Sequence, residues 1–151
     1  MSVAFRRESD EEHREPRFEL PIPAGPNLVT PAGPALIAAR VAELDAAVAA
    51  AGTEEREPLL RELRYWHTRA ATAEVAPPPA DDEAGIGSRV TFRLNGATRT
   101  ITIVGHDEAD AELRIAFAAP LARALMGTAP GDLAEFQGRT DAIEVIAVEN
   151  D

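Results

Sequence analysis

IVGHDEADAELRIAFAAPLARALMGTAPGD, residues 103–132, joins an acidic turn to a short helix that opens on proline. Ile103 and Val104 close a strand, Gly105 breaks it, and the acidic run Asp107, Glu108, Asp110 around the small Ala109 makes a solvated turn. Leu113 to Phe117 then reads as a further strand. Pro120 has no backbone donor to lose at a first helical position, so a helix starts there and runs to Met126, where Gly127 ends it. Upstream, Val90, Phe92 and Leu94 alternate with polar residues, and Asn95-Gly96 signals a two-residue hairpin turn into a returning strand at Ala97 to Val104. Downstream, strands are expected at Asp132 to Gln137 and Ala142 to Val148. The sum is a small antiparallel sheet with one short helix across a face.

Before this region the period changes from two to three and four. Thr30-Pro31 offers an N-cap followed by proline at the first helical position, and Ile37, Val41, Leu44, Val48 and Ala51 then recur at coiled-coil spacing. After Gly52 the spacing returns in Leu59, Leu63, Trp66, Ala70 and Ala73, and Pro77-Pro78-Pro79 stops the second helix. A connection this short turns the two helices antiparallel, with Pro58 expected in the first turn of the second and the reversal near Gly52 to Arg56. Residues 1–27 mix charges with too few apolar residues to repay ordering, which predicts a flexible arm whose anchors are Phe5, Phe18, Leu20 and Ile22. The expected organisation is therefore α+β: arm 1–27, antiparallel coiled-coil hairpin 28–76, proline-rich linker 77–85 and sheet domain 86–151.

Composition narrows the function. The net charge is −11, and residues 81–151 hold thirteen acidic residues against six arginines. Phosphate backbones repel such a chain, so autonomous DNA or RNA binding is not expected, and a protein partner with basic surface is. All fifteen basic residues are Arg, which reads as genome bias. No cysteine is present, excluding disulfides and thiolate metal sites. No apolar run spans a membrane and no signal-peptide pattern opens the chain, so a cytoplasmic location is expected. His13, His67 and His106 share no ligand-like spacing, and neither a metal site nor a cofactor is expected. No serine stands near a plausible base, so no nucleophilic triad is read. Trp66, on the seam, is assigned to the hairpin core.

The ordered blocks Val104 to Asp110, Ala119 to Gly127 and Gly131-Asp132, together with the helix-opening Asn27 to Gly33, resemble the GreA/GreB transcription elongation factors. The resemblance covers about Asn27 to Val148. It implies a C-terminal domain of FKBP-like fold that binds RNA polymerase at the rim of its secondary channel, and a helical hairpin directed down that pore. Carried onto this chain, it points to Asp107, Glu108, Ala109 and Asp110, with Pro120 and Leu121, as polymerase-binding residues. Ala119 stands where the family usually has Ser, removing a side-chain cap at the helix start. Family members that stimulate transcript cleavage carry an acidic G-D-x-x-E-N-x-E-Y motif at the hairpin tip, and nothing from Ala51 to Leu59 matches it. Arms of about 20 residues, roughly 30 Å, also fall short of the long-hairpin members.

The expectation is a monomeric, non-enzymatic polymerase regulator. Glu54, Glu55 and Glu57 at the tip admit two readings: carboxylates for a magnesium ion in an active cleavage factor, or a solvated helix start favoured by the macrodipole. The short hairpin also resembles the related Rnk regulators, but the opening Asn27 to Gly33 and the acidic turn at Asp107 to Asp110 favour the GreA/GreB side. From a different class, the sheet domain could be a peptidyl-prolyl isomerase of FKBP-like fold, which would need an aromatic-lined pocket. A coiled-coil dimeriser is disfavoured, because Ala70 and Ala73 make a narrow seam that two arms of one chain satisfy.

Overall fold

A computed structural model of the chain describes residues 19–150. The expected arm therefore lies outside the described residues as far as Phe18, as do Phe5 and His13. The chain divides into two compact units: Ile37–Thr72 belongs to one, together with residues 19–25, and Pro26–Leu36 joins residues 73–150 in the other.

The helical unit is built on α1 (Gly33–Ala50) from Ile37 onward and on α2 (Thr53–Thr72), the two helices separated only by Ala51 and Gly52, while the first turn of α1 belongs to the other unit. Two linking residues leave α2 no course but back along α1. Leu44, Val48 and Leu63 are buried together, with Val41, Leu59, Leu60 and Trp66 packed against them. Six of these seven positions are those the heptad spacing selects. At the far end of α2 the pattern departs: Ala70 is exposed, while Arg69 is 3% exposed with its guanidinium 5.9 Å from the centroid of the Tyr65 ring. Trp66 meets Tyr65 edge-on at 5.3 Å and has the Arg40 guanidinium 6.0 Å from its ring, as befits a hairpin-core aromatic.

Both helix starts differ from the expectation by a few residues. α1 begins at Gly33, whose N–H donates to the Thr30 carbonyl at 2.8 Å, while the Thr30 hydroxyl turns to donate to Glu108. α2 begins at Thr53, so Pro58 stands in its second turn and not its first. The early start is held by the Gly52 N–H donating to the Glu55 carboxylate at 3.3 Å and the Arg56 N–H donating to the Gly52 carbonyl at 3.1 Å. Proline at 58 then leaves the Glu54 carbonyl without its helical donor, on an exposed turn where water can replace it.

The second unit opens with β1 (Leu28–Val29), which pairs in parallel with β2 (Glu74–Val75). Its main sheet contains β3 (Arg89–Leu94), β4 (Ala97–Val104), β5 (Arg114–Ala116), β6 (Leu133–Phe136) and β7 (Arg139–Glu149), in the order β5-β4-β3-β7-β6. Asn95 and Gly96 both take positive φ, +54° and +79°, giving the β3–β4 hairpin its tight turn. The pairs β3–β4, β3–β7 and β6–β7 are antiparallel, but β5 lies parallel to β4. The sheet is thus mixed where an all-antiparallel one was expected, because residues 105–113 carry the chain back alongside Thr102, in the last part of β4, before β5 begins. A second tight turn, Gln137-Gly138, lets β7 start at Arg139, three residues before the expected Ala142.

The one short helix of this unit, α3 (Pro120–Leu125), begins at the expected proline without a side-chain cap at Ala119. Its Ala122 and Leu125 are fully buried with Val90, Phe92, Ile101, Ile103 and Ile143. Burial of a side chain such as Phe92 contributes about 1.5–3 kcal/mol. Gly127, at φ +82°, ends the helix and donates to the Ala84 carbonyl at 2.8 Å. Among the described residues no helix is long and apolar enough to cross a membrane.

Candidate functional site

Between β4 and β5 the chain makes one turn of 3-10 helix, His106–Glu108, followed by a loop to Arg114. Gly105 and Glu108 close the turn on each other. The Glu108 N–H donates to the Gly105 carbonyl at 3.1 Å, and the Gly105 N–H donates to the Glu108 carboxylate at 3.0 Å. The same carboxylate accepts the Thr30 N–H at 2.9 Å and the Thr30 hydroxyl. Glu108 is only 4% exposed, and its three donors offset the cost of removing a carboxylate from water. The motif reading put it on a partner-binding surface; the structure puts it inside, because the opening segment of the chain folds over it.

Two glycines make that approach possible. A Cβ on Gly105 would stand 2.5 Å from the Leu28 carbonyl oxygen, and one on Gly33 would stand 2.5 Å from the Val29 Cβ and 3.2 Å from the Glu108 carboxyl carbon. The family-like Asn27 to Gly33 stretch and the acidic turn are therefore one packed assembly, which spacing within either motif does not reveal.

Asp110 is also engaged in holding shape. Its Oδ1 accepts the N–H groups of Glu112 at 2.9 Å, Leu113 at 2.8 Å and Arg114 at 2.9 Å. These backbone donors, Arg114 first, hold its carboxyl below the usual aspartate range. The loop so fixed lifts Leu113 into solvent, where it is 62% exposed. Nothing in the hydrophobic pattern distinguished this leucine from the strand that follows it. Asp107 is half-buried and Ala109 exposed. Pro120 is exposed at the start of α3, while Leu121 is half-buried against the core. β5 touches both the turn and α3, so the two sets of predicted residues flank one short edge strand.

At the hairpin tip Glu54, Glu55 and Glu57 are exposed on the first two turns of α2. Glu55 caps Gly52, and Glu57 pairs with Arg64 at 3.3 Å. Arg64 also holds Glu19 by two hydrogen bonds, of 2.9 and 2.6 Å. Among the described residues no three His, Asp or Glu side chains converge as metal ligands do. In the sheet unit an apolar cleft of about 610 Å³, walled by Pro31, Val75, Pro78, Pro79, Ile86 and Val104, is lined by no aromatic side chain. A second cleft, of about 460 Å³ between α3 and β6, has one aromatic side chain in its lining, Phe136.

Residues 79–150 match the family model described as Transcription elongation factor, GreA/GreB, C-term. A comparison with curated proteins finds no match. Solved structures similar to this chain include GreA factor homolog 1 (Gfh1) of Thermus thermophilus, 17% identical, covering 83% of this chain and 99% of that one with a TM-score of 0.39. Gfh1 of Thermus aquaticus is 17% identical over 83% and 99%, with a TM-score of 0.41. A GreA/GreB elongation factor from Nitrosomonas europaea is 20% identical over 83% and 98%, with a TM-score of 0.40. At these scores the whole-chain superpositions carry no argument, and the likeness rests on the C-terminal match. Residues 79–150 of the chain are thus similar to the C-terminal domain of the GreA/GreB transcription elongation factors.

Proposed function

We propose that this protein is a cytoplasmic, non-enzymatic transcription regulator that binds bacterial RNA polymerase at its secondary channel through the sheet unit, without stimulating transcript cleavage. The observation that carries the reading is the tip. Two residues connect α1 and α2, and of the three nearby glutamates one caps a backbone N–H and another pairs with an arginine. A hard divalent cation needs several free oxygens converging on one point. Arms of 18 and 20 residues, roughly 27–30 Å long, further limit the reach of the tip. On this reading the effect on transcription arises from occupying the channel mouth and displacing other channel factors. Ala109, Asp110 and Pro120 supply exposed polymerase contacts, the half-buried Asp107 and Leu121 border them, and Glu108 acts from inside.

A backtracked elongation complex of the host polymerase tests it, with gel-shift and transcript cleavage read on the same sample. Binding without cleavage is the expected result. The rival within the family is a cleavage factor using Glu54 and Glu55, which start α2 where the macrodipole favours carboxylates. Cleavage that disappears in Glu54→Ala/Glu55→Ala would establish it over the reading proposed.

A further inference from the structure

One buried carboxylate serves two segments that lie 78 residues apart in the chain. On one side Glu108 holds Thr30, three residues before the start of α1, and its carboxyl carbon underlies Gly33, the first residue of that helix. On the other it holds Gly105 at the base of the acidic turn. Oε2 accepts both backbone donors, from Thr30 at 2.9 Å and Gly105 at 3.0 Å, so neither segment can leave without disturbing the acceptor of the other. We infer that Glu108 is a positioning residue that couples the partner-facing turn to the root of α1. This rests on the functional reading above and assigns Glu108 a role that its place in an acidic surface motif does not suggest.

The coupling makes an asymmetric demand on chemistry. A carboxylate at 108 accepts three hydrogen bonds, but a glutamine can do nearly the same work. Its amide oxygen can accept from both N–H groups while its NH2 donates to the Thr30 hydroxyl. Alanine leaves Thr30 and Gly105 with no acceptor and opens a cavity between them. A direct contact between the Glu108 charge and a basic partner would show the opposite pattern, with glutamine as damaging as alanine.

The test uses the full chain, with amide hydrogen exchange at Thr30 and Gly105 and the Kd for host RNA polymerase measured on the same preparations. In Glu108→Ala both amides should exchange at least about tenfold faster and polymerase binding should weaken by about fivefold or more. Glu108→Gln should stay within about twofold of the unaltered protein in both readouts. Leu113→Ser, a surface change, should weaken binding while leaving exchange at Thr30 unmoved. Should Glu108→Ala fail to fold, Thr30→Val removes one hydrogen bond and keeps the N–H. Faster exchange at Gly105 with weaker binding is then expected, and unchanged binding overturns the coupling. Glutamine as weak as alanine with Thr30 still protected overturns it in favour of direct charge recognition. Faster exchange in Glu108→Ala with unchanged affinity reduces Glu108 to a purely structural role. Absence of binding by the unaltered chain overturns the functional reading and the coupling together, whereas the other adverse outcomes overturn the coupling alone.

Discussion

The backbone of Gly105 lies so close to that of Leu28 that a Cβ on the glycine would be 2.5 Å from the leucine carbonyl oxygen. The residue's φ is −71°, which any amino acid tolerates, so the demand for glycine here is one of space. Gly105→Ala should cost about 1–3 kcal/mol by overpacking. Urea unfolding should show the loss as a lower midpoint with an unchanged slope. An unaltered midpoint would mean that the opening segment yields without penalty.

Leu113 gives the opposite prediction for fold and for binding. At 62% exposure its replacement by serine should leave stability within about 0.5 kcal/mol. Its loop is already ordered by Asp110, so the side chain can be buried by a partner without a further ordering cost. Leu113→Ser should therefore weaken polymerase affinity about tenfold, close to the 1.4 kcal/mol that a partly buried leucine supplies at an interface. Equal affinities by titration would exclude Leu113 from the contact.

Asp110 sets a pH window. Its folded-state pKa is depressed by the three N–H donors, so the stability it contributes is complete above its unfolded value, about 3.9. That contribution is lost as pH falls through the lower folded value. The amides of Glu112, Leu113 and Arg114 should stay protected through neutral pH and down to about pH 4, then lose protection in stronger acid. Amide exchange corrected for its intrinsic pH dependence reads this directly. In Asp110→Ala the same amides should be unprotected at every pH.

In the hairpin, packing outweighs charge. Leu44→Ala removes a side chain that is 3% exposed and should cost about 2–5 kcal/mol. Glu62→Gln breaks an ion pair with Arg40 at 3.2 Å whose partners are each 40% exposed, and should cost no more than about 1 kcal/mol. Thermal unfolding of the two variants should separate them by well over 5 °C. Equal shifts would contradict the assignment of the hairpin's stability to its apolar seam.

Local rules made most of the architecture legible. Of the ten positions that the heptad spacing selects, Val41, Leu44, Val48, Leu59, Leu63 and Trp66 are found together, while Ala70 is exposed and Ala73 lies beyond the end of α2. Asn95-Gly96 sets a turn and Pro120 starts a helix, as their chemistry requires. What was not legible depends on partners distant in sequence. The direction of β5 is set by the path of residues 105–113, and strand residues carry no mark of whether their neighbour runs with or against them. Gln137-Gly138 makes the same positive-φ turn as Asn95-Gly96, but glutamine lacks the short side chain that advertises it. Thr30 reads as a helix cap, and Glu108 as a surface acid, until each is seen to be the other's partner. The signal was present in that both lie in family-like motifs, but a motif does not say that two stretches touch.

The bond between Thr30 and Glu108 also orders events on the ribosome. Thr30 is made early, and its acceptor follows 78 residues later, a delay of roughly 4–16 s at ordinary rates of synthesis. During that interval the nascent hairpin can zip through its own local contacts and bring β2 to β1, while the Thr30 N–H and hydroxyl still await the Glu108 carboxylate. The sheet unit, whose β1 comes from this early segment, binds that segment through Glu108 once the turn clears the exit tunnel and completes its sheet only when β7 follows. A ribosome pausing between those two points would leave a formed hairpin with an unfinished neighbour, so codon usage over residues 73–108 bears on the yield of correctly assembled protein.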